Sequence, residues 1–93
     1  MTISEIKQKI LPVLQSCGVT KAGIFGSFAR GEAEEGSAMD ILVDLPKNKS
    51  LLDLVGIKQD LEELLCRKVD LVTYKSLYHL LREPILAEEV RVM

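Results

Sequence analysis

The chain predicts an α/β (α+β) fold, a small mixed β-sheet of about three strands packed against helices. Two short apolar runs, Ala22 to Phe25 and Val69 to Thr73, are bounded by turn residues as buried strands are. Between them Met39, Ile41, Val43 and Leu45 alternate with Ala38, Asp40, Leu42 and Asp44. That period of two marks a strand with one wholly apolar face. Helical stretches separate the runs, giving the order αβ–β–αβ–α over a single domain, residues 1–93.

Each element has a local reason. Thr2-Ile3-Ser4-Glu5 has the form of a capping box, and Ile3, Ile6, Ile10, Val13 and Leu14 follow at helical spacing up to Gly18. Pro12 inside that pattern predicts a kink or a second short turn. The first strand closes on Gly26-Ser27, and residues 32–37 read as a polar turn. Ser50 and Asp53 form a second capping-box-like start, after which Leu51, Leu54, Ile57, Leu61 and Leu64 are expected to face the core. Beyond the third strand, Ser76 is placed to cap a helix through Leu81. Pro84 is placed to open a final short one.

Composition narrows the function classes. With 47% hydrophobic and 28% charged residues the chain has enough apolar matter for one core, which argues against a disordered chain. No apolar run approaches a membrane span, and the N-terminus lacks the layout of a signal peptide. Cys17 and Cys66 lack metal spacing and read as buried free thiols, so a cytoplasmic protein is expected. A net charge of −2 argues against broad nucleic-acid binding while leaving room for a local basic site.

The candidate chemistry lies in "GSFARGEAEEGSAMDILVDL", residues 26–45. Glycine lets an anion approach the backbone closely, and Ser27 adds a hydroxyl donor to the free N–H groups of the turn. That pair can hold a phosphate, and Arg30 can return along the same face to neutralise its charge. A Gly-Ser pair also serves as an ordinary capped turn. Asp40 and Asp70 sit on apolar strands joined by one helix, a crossover that normally makes the strands parallel neighbours. Two such carboxylates repel unless a cation lies between them, and Mg2+ is the natural candidate, being hard and often completed by substrate phosphates. Each aspartate alone also reads as a strand-end polar residue near solvent. Asp44 shares the Asp40 face but stands ~13 Å away along the strand, too far to share an ion. His79 lacks any nearby partner for metal binding or catalysis and reads as structural.

Taken together, Gly26-Ser27, ten residues, position 38, one spacer and Asp40 follow the layout G-S-x10-D-x-D with one departure. The stretch "FGSFARGEAEEGSAMDILVDL" resembles the minimal nucleotidyltransferases (MNT) of the DNA polymerase β superfamily. "KVDLVTY" resembles their third-carboxylate strand, and the likeness runs on to "EPILAEEV". The resemblance implies a nucleotidyltransferase fold. It also implies two Mg2+ ions ~3.5–4 Å apart that hold ATP for in-line attack on its α-phosphorus, with pyrophosphate leaving. Carried over by position, Gly26 and Ser27 would bind the triphosphate with Arg30 as a helper, while Asp40 and Asp70 would hold metal.

Ala38 stands where the family has its first metal-binding aspartate. It offers no oxygen, and since losses behind a metal's ligands already cost roughly 10–100-fold, loss of a ligand should cost at least that. Glu34 or Glu35 can in principle swing in, from a polar linker. Many members are antitoxins encoded beside a HEPN-domain toxin, so the resemblance implies AMP transfer from ATP to a toxin tyrosine. The partners expected are that toxin and ATP, with no membrane and no direct nucleic acid. Two alternatives stay open: a catalytically dead module that neutralises its partner by contact, and a transferase for a small molecule or RNA end.

Overall fold

A four-stranded mixed sheet carries the molecule, with strands in the order β3-β2-β1-β4. The computed structural model describes residues 2–34, 36–77 and 79–93; of residues 79–81 it describes the backbone alone. In chain order the elements are α1 (Ile3–Ser16), β1 (Lys21–Phe25), α2 (Gly26–Arg30), β2 (Met39–Asp44) and α3 (Leu51–Leu65). After these come β3 (Val69–Thr73), a single 3₁₀ turn (Tyr74–Ser76), α4 (His79–Glu88) and β4 (Val90–Arg91).

β1 pairs antiparallel with β2 and β4, whereas β2 and β3 run parallel through the α3 crossover. Ala22, Ile24, Met39, Ile41 and Val43 share one face and are buried against Ile6, Ile10 and Leu14 of α1 and Ile57, Leu61 and Leu65 of α3. Leu42 is also fully buried, on the opposite face, where it pairs with Gly23. That second face carries Asp40.

Both helix starts expected from the sequence are realised. The Thr2 side chain accepts from the Glu5 N–H. Ser50 and Asp53 exchange side-chain and backbone bonds in a full capping box.

Several expectations are corrected. The sheet has four strands where about three were expected, because Val90–Arg91 adds a two-residue edge beside β1; so short a strand has no readable period. Pro12 neither kinks α1 into two nor opens a new turn, and sits exposed inside one helix. Pro84 lies within α4 instead of starting a helix, and Thr73, not Ser76, caps the turn after β3. Leu51 and Leu64 are exposed; the buried stripe of α3 runs through Ile57, Leu61 and Leu65. Cys66 is exposed, ending α3 with φ of 53°, and Cys17 is half-buried; both are free thiols. Glu35 and the His79 side chain lie outside the described residues.

Candidate active site

The parallel register of β2 and β3 sets Asp40 directly opposite Asp70. Adjacent strands lie ~4.8 Å apart, so side chains at paired positions on one face meet. Asp40 is half-buried and Asp70 exposed. Burial, first, and then the Asp70 carboxylate push the Asp40 pKa up from the usual carboxylate range. Arg30 acts in the opposite sense on Asp40, from the end of α2.

β1 delivers Phe25 opposite Asp40 and then turns into α2 at Gly26, which is buried with φ of 73°. A side chain there would suffer twice, since φ lies in the left-handed region and a Cβ would collide with the Asp40 carboxylate. The glycine thus lets the turn close onto the carboxylate pair. Phe25 is the N-cap of α2 and provides no side-chain cap, so Ser27 lies inside the helix and does not cap it. The first N–H groups of α2, which no side chain caps, start at Gly26 against Asp40.

Arg30 extends from the last turn of α2 into ion pairs with Glu32 and with Glu88 of α4, each at 3.0 Å. These contacts, the Glu32 hydrogen bond first, raise its pKa. Here Arg30 braces α2 against α4. Sequence reasoning missed Glu88, for which a 58-residue separation leaves no local signal.

Ala38 is half-buried at the entrance to β2. Continuing the alternation of the strand from buried Met39 places it on the Asp40 face. The segment is anchored from both sides, as the Met39 N–H donates to the Lys68 carbonyl at 2.9 Å and Arg67 donates to the Ser37 carbonyl at 2.8 Å. The Arg67 guanidinium also stacks on Phe28 of α2 at 4.8 Å. Arg67 therefore positions residue 38 relative to α2, a role its place after the α3 C-terminus did not announce. Glu34 is exposed, and its backbone N–H donates to the Ser37 hydroxyl at 2.9 Å. Among the described residues, no group of three or more Asp, Glu, His or Cys side chains is placed to hold a metal.

The donor set fits a divalent cation in part. Two carboxylates face each other, Asp40 with its pKa raised by burial and then by Asp70, and a bound cation would relieve that repulsion. A third anionic ligand is missing at position 38.

A glycine-serine turn delivered beside paired strand carboxylates is the arrangement that the sequence resemblance to the nucleotidyltransferases implied. The nucleotidyltransferase domain family matches residues 3–92, and the chain belongs to it. Over its full length it is 53% identical, across 93 residues, to a Methanocaldococcus jannaschii protein provisionally named protein adenylyltransferase, all of which is covered. It is 45% identical over 75 residues to the protein adenylyltransferase MntA of Thermococcus cleftensis, covering 81% of this chain and 76% of that one.

Among solved structures, a provisionally named minimal nucleotidyltransferase superposes with a TM-score of 0.82 at 36% identity, covering 97% of this chain and 95% of that one. A toxin–antitoxin complex with AMP-PNP gives a TM-score of 0.83 at 22% identity, covering 94% and 72%. A complex of a tri-AMPylated Shewanella oneidensis HEPN toxin with its MNT antitoxin gives 0.76 at 20% identity, covering 97% and 71%. At those identities the last two likenesses speak for the fold. No helix among the described residues is long and apolar enough to cross a membrane.

Proposed function

We propose that this chain is an antitoxin of the protein adenylyltransferase type, built to move AMP from ATP to a tyrosine hydroxyl of a HEPN-domain toxin. We propose further that Ala38 cripples this transfer. The observation that carries the reading is Asp40 in register with Asp70, beside Gly26 and Ser27, with alanine at position 38. The MntA relative and the two toxin–antitoxin structures, one with AMP-PNP and one with an AMPylated HEPN toxin, support the substrate and the partner.

In this reading the Ser27 hydroxyl and the N–H groups at the start of α2 donate to triphosphate oxygens, and Gly26 admits them to the backbone. Asp40 and Asp70 would hold Mg2+, which when bound offsets phosphate charge and favours the ionised acceptor. The acceptor oxygen bonds to the α-phosphorus as the bond to the bridging oxygen breaks, pyrophosphate leaves, and the hydroxyl proton passes to base. Asp70, more exposed than Asp40, is the carboxylate open to an incoming acceptor. Arg30, held by Glu32 and Glu88, would have to exchange one of them to reach a phosphate.

The test incubates the toxin with ATP and Mg2+ and either this chain or its Ala38→Asp variant, then weighs the toxin. Mass gain in AMP-sized steps with the variant, and little or none with the chain itself, is the expected result. If neither modifies the toxin while both bind and silence it, the second reading holds: a module that neutralises by contact. The observation favouring that second reading is the missing ligand at Ala38.

A further inference from the structure

The start of α3 departs from what an amphipathic helix requires. Leu51 and Leu52 are 79% and 83% exposed and Val55 is 49% exposed. Val55 stands four residues from Leu51 and three from Leu52, spacings that adjoin on a helix surface, so it joins both leucines into one apolar ridge. Scattered exposed leucines are ordinary, whereas adjoining ones mark an interaction surface.

A band of cations continues from this ridge. Lys49 borders a shallow hollow with Leu52 on one side and, on the other, a groove of about 270 Å³ shared with Lys47, Lys75 and Asp44. Asp44 and Lys75 also line the next hollow, of about 230 Å³, together with Lys21 and Arg82. Along these last two grooves five cations meet one carboxylate, Asp44, in a chain of net charge −2, while Asp53 and Asp60 line the hollow beside Leu52. Among the described residues, ion pairs within 4 Å form at Arg30 alone, so Asp44 neutralises none of the five by direct pairing.

This chemistry selects its occupant. A row of nucleic-acid phosphates would meet Asp44 in the middle of the band. Among the described residues, the aromatic ring that borders the band, Tyr74, offers no open platform for a base. Lys21 covers the Tyr74 ring at 4.3 Å, and the Tyr74 hydroxyl is taken by Glu89. Nor does a phosphate backbone gain from an adjoining leucine ridge. A protein surface can place carboxylates against the lysines, a hydrogen-bond donor against Asp44 and an apolar patch against Leu51, Leu52 and Val55.

We propose that the ridge at the start of α3 and the adjoining cationic groove form the docking surface for the partner protein, which meets it with acidic side chains flanking an apolar patch. The partner's identity rests on the antitoxin reading; the surface itself does not involve the carboxylate pair. The Lys21–Asp44 pair lies four register positions from Phe25–Asp40, ~13 Å along the strands.

The test measures binding of the purified cognate toxin to the full chain by calorimetry, without ATP or Mg2+, at low and high salt. Leu52→Glu and the double variant Lys47→Glu/Lys49→Glu are expected to weaken binding by about tenfold or more. Rising salt should weaken the unaltered chain as well. Lys9→Glu, on the exposed side of α1, should leave binding unchanged, and circular dichroism should show all variants folded, since each altered side chain is exposed. Unchanged affinity of both surface variants overturns this inference and leaves the antitoxin reading standing. Failure of the unaltered chain to bind the toxin overturns both. Preferential capture of a single-stranded or duplex RNA oligonucleotide, lost in the lysine variant, would overturn the choice of a protein partner.

Discussion

Ala38→Asp is expected to destabilise the metal-free protein and to make its stability depend on Mg2+. Positions 38 and 40 are two residues apart on an extended segment, ~6–7 Å, and Asp70 faces Asp40 across ~4.8 Å. A carboxylate at 38 would therefore stand ~6–7 Å from Asp40 and, on the diagonal, ~8 Å from Asp70. Two like charges at ~6–8 Å repel by about 0.5–0.7 kcal/mol in water and about 2.1–2.8 kcal/mol at an effective dielectric of 20. Position 38 is half-buried and Asp70 exposed, so the lower part of that range applies, ~1 kcal/mol per pair and ~1–2 kcal/mol in all. For a domain of this size that lowers the melting temperature by about 5–10 °C.

Mg2+ should reverse the order. A third anionic ligand worth a 10–100-fold gain in affinity adds about 1.4–2.7 kcal/mol of binding free energy. Thermal melts over an Mg2+ series, with and without ATP, would read both effects. Equal Mg2+ shifts in the two chains, or a metal-free variant as stable as the chain with Ala38, would refute the placement of residue 38 in the carboxylate site.

Asp40→Asn should raise the melting temperature near neutral pH in the absence of metal. Because burial and Asp70 raise the folded-state pKa of Asp40, its favourable contribution is complete below the unfolded value of about 3.9 and is lost as pH rises through the raised one. Melts from acid to neutral pH should therefore converge at the acid end, and a gain that persisted there would count against the assignment. Gly26→Ala should cost at least ~1–2 kcal/mol from its left-handed φ alone and should also displace Asp40, to be read as a loss of both denaturant stability and Mg2+ affinity. Tyr74→Phe leaves the half-buried Glu89 carboxylate without its donor, and urea unfolding should show a loss of about 1–2 kcal/mol.

Much of this arrangement was legible in the sequence because it rests on local signals. Alternation along Met39–Asp44 fixed which side chains share the Asp40 face, and the crossover through α3 made β2 and β3 parallel neighbours. The register that pairs Asp40 with Asp70 then needed only the two apolar strands. The rest depended on contacts distant in the chain. Arg30 looked available for phosphate because Glu88 is remote in sequence, and Tyr74 gave no hint that Glu89 would lie over Gly23 and take its hydroxyl. Leu51 misled for a different reason. It fits the helical period, yet it stands one turn beyond the point where α1 and the sheet still cover α3, and periodicity cannot see where the covering layer stops.

β3 is an edge strand, so Asp70 rides on backbone bonded along one side only. Edge strands open more readily than central ones, and each opening of β3 removes half of the carboxylate pair. Occupancy of the site is consequently linked to closure of that edge, since whatever binds both carboxylates also staples β3 to β2. Amide hydrogen exchange would register this as slowed exchange across Val69–Thr73 on adding Mg2+ and nucleotide, with little change in β1, which is already paired on both sides. The outermost strand, more than the buried core, would then report whether the site is in use.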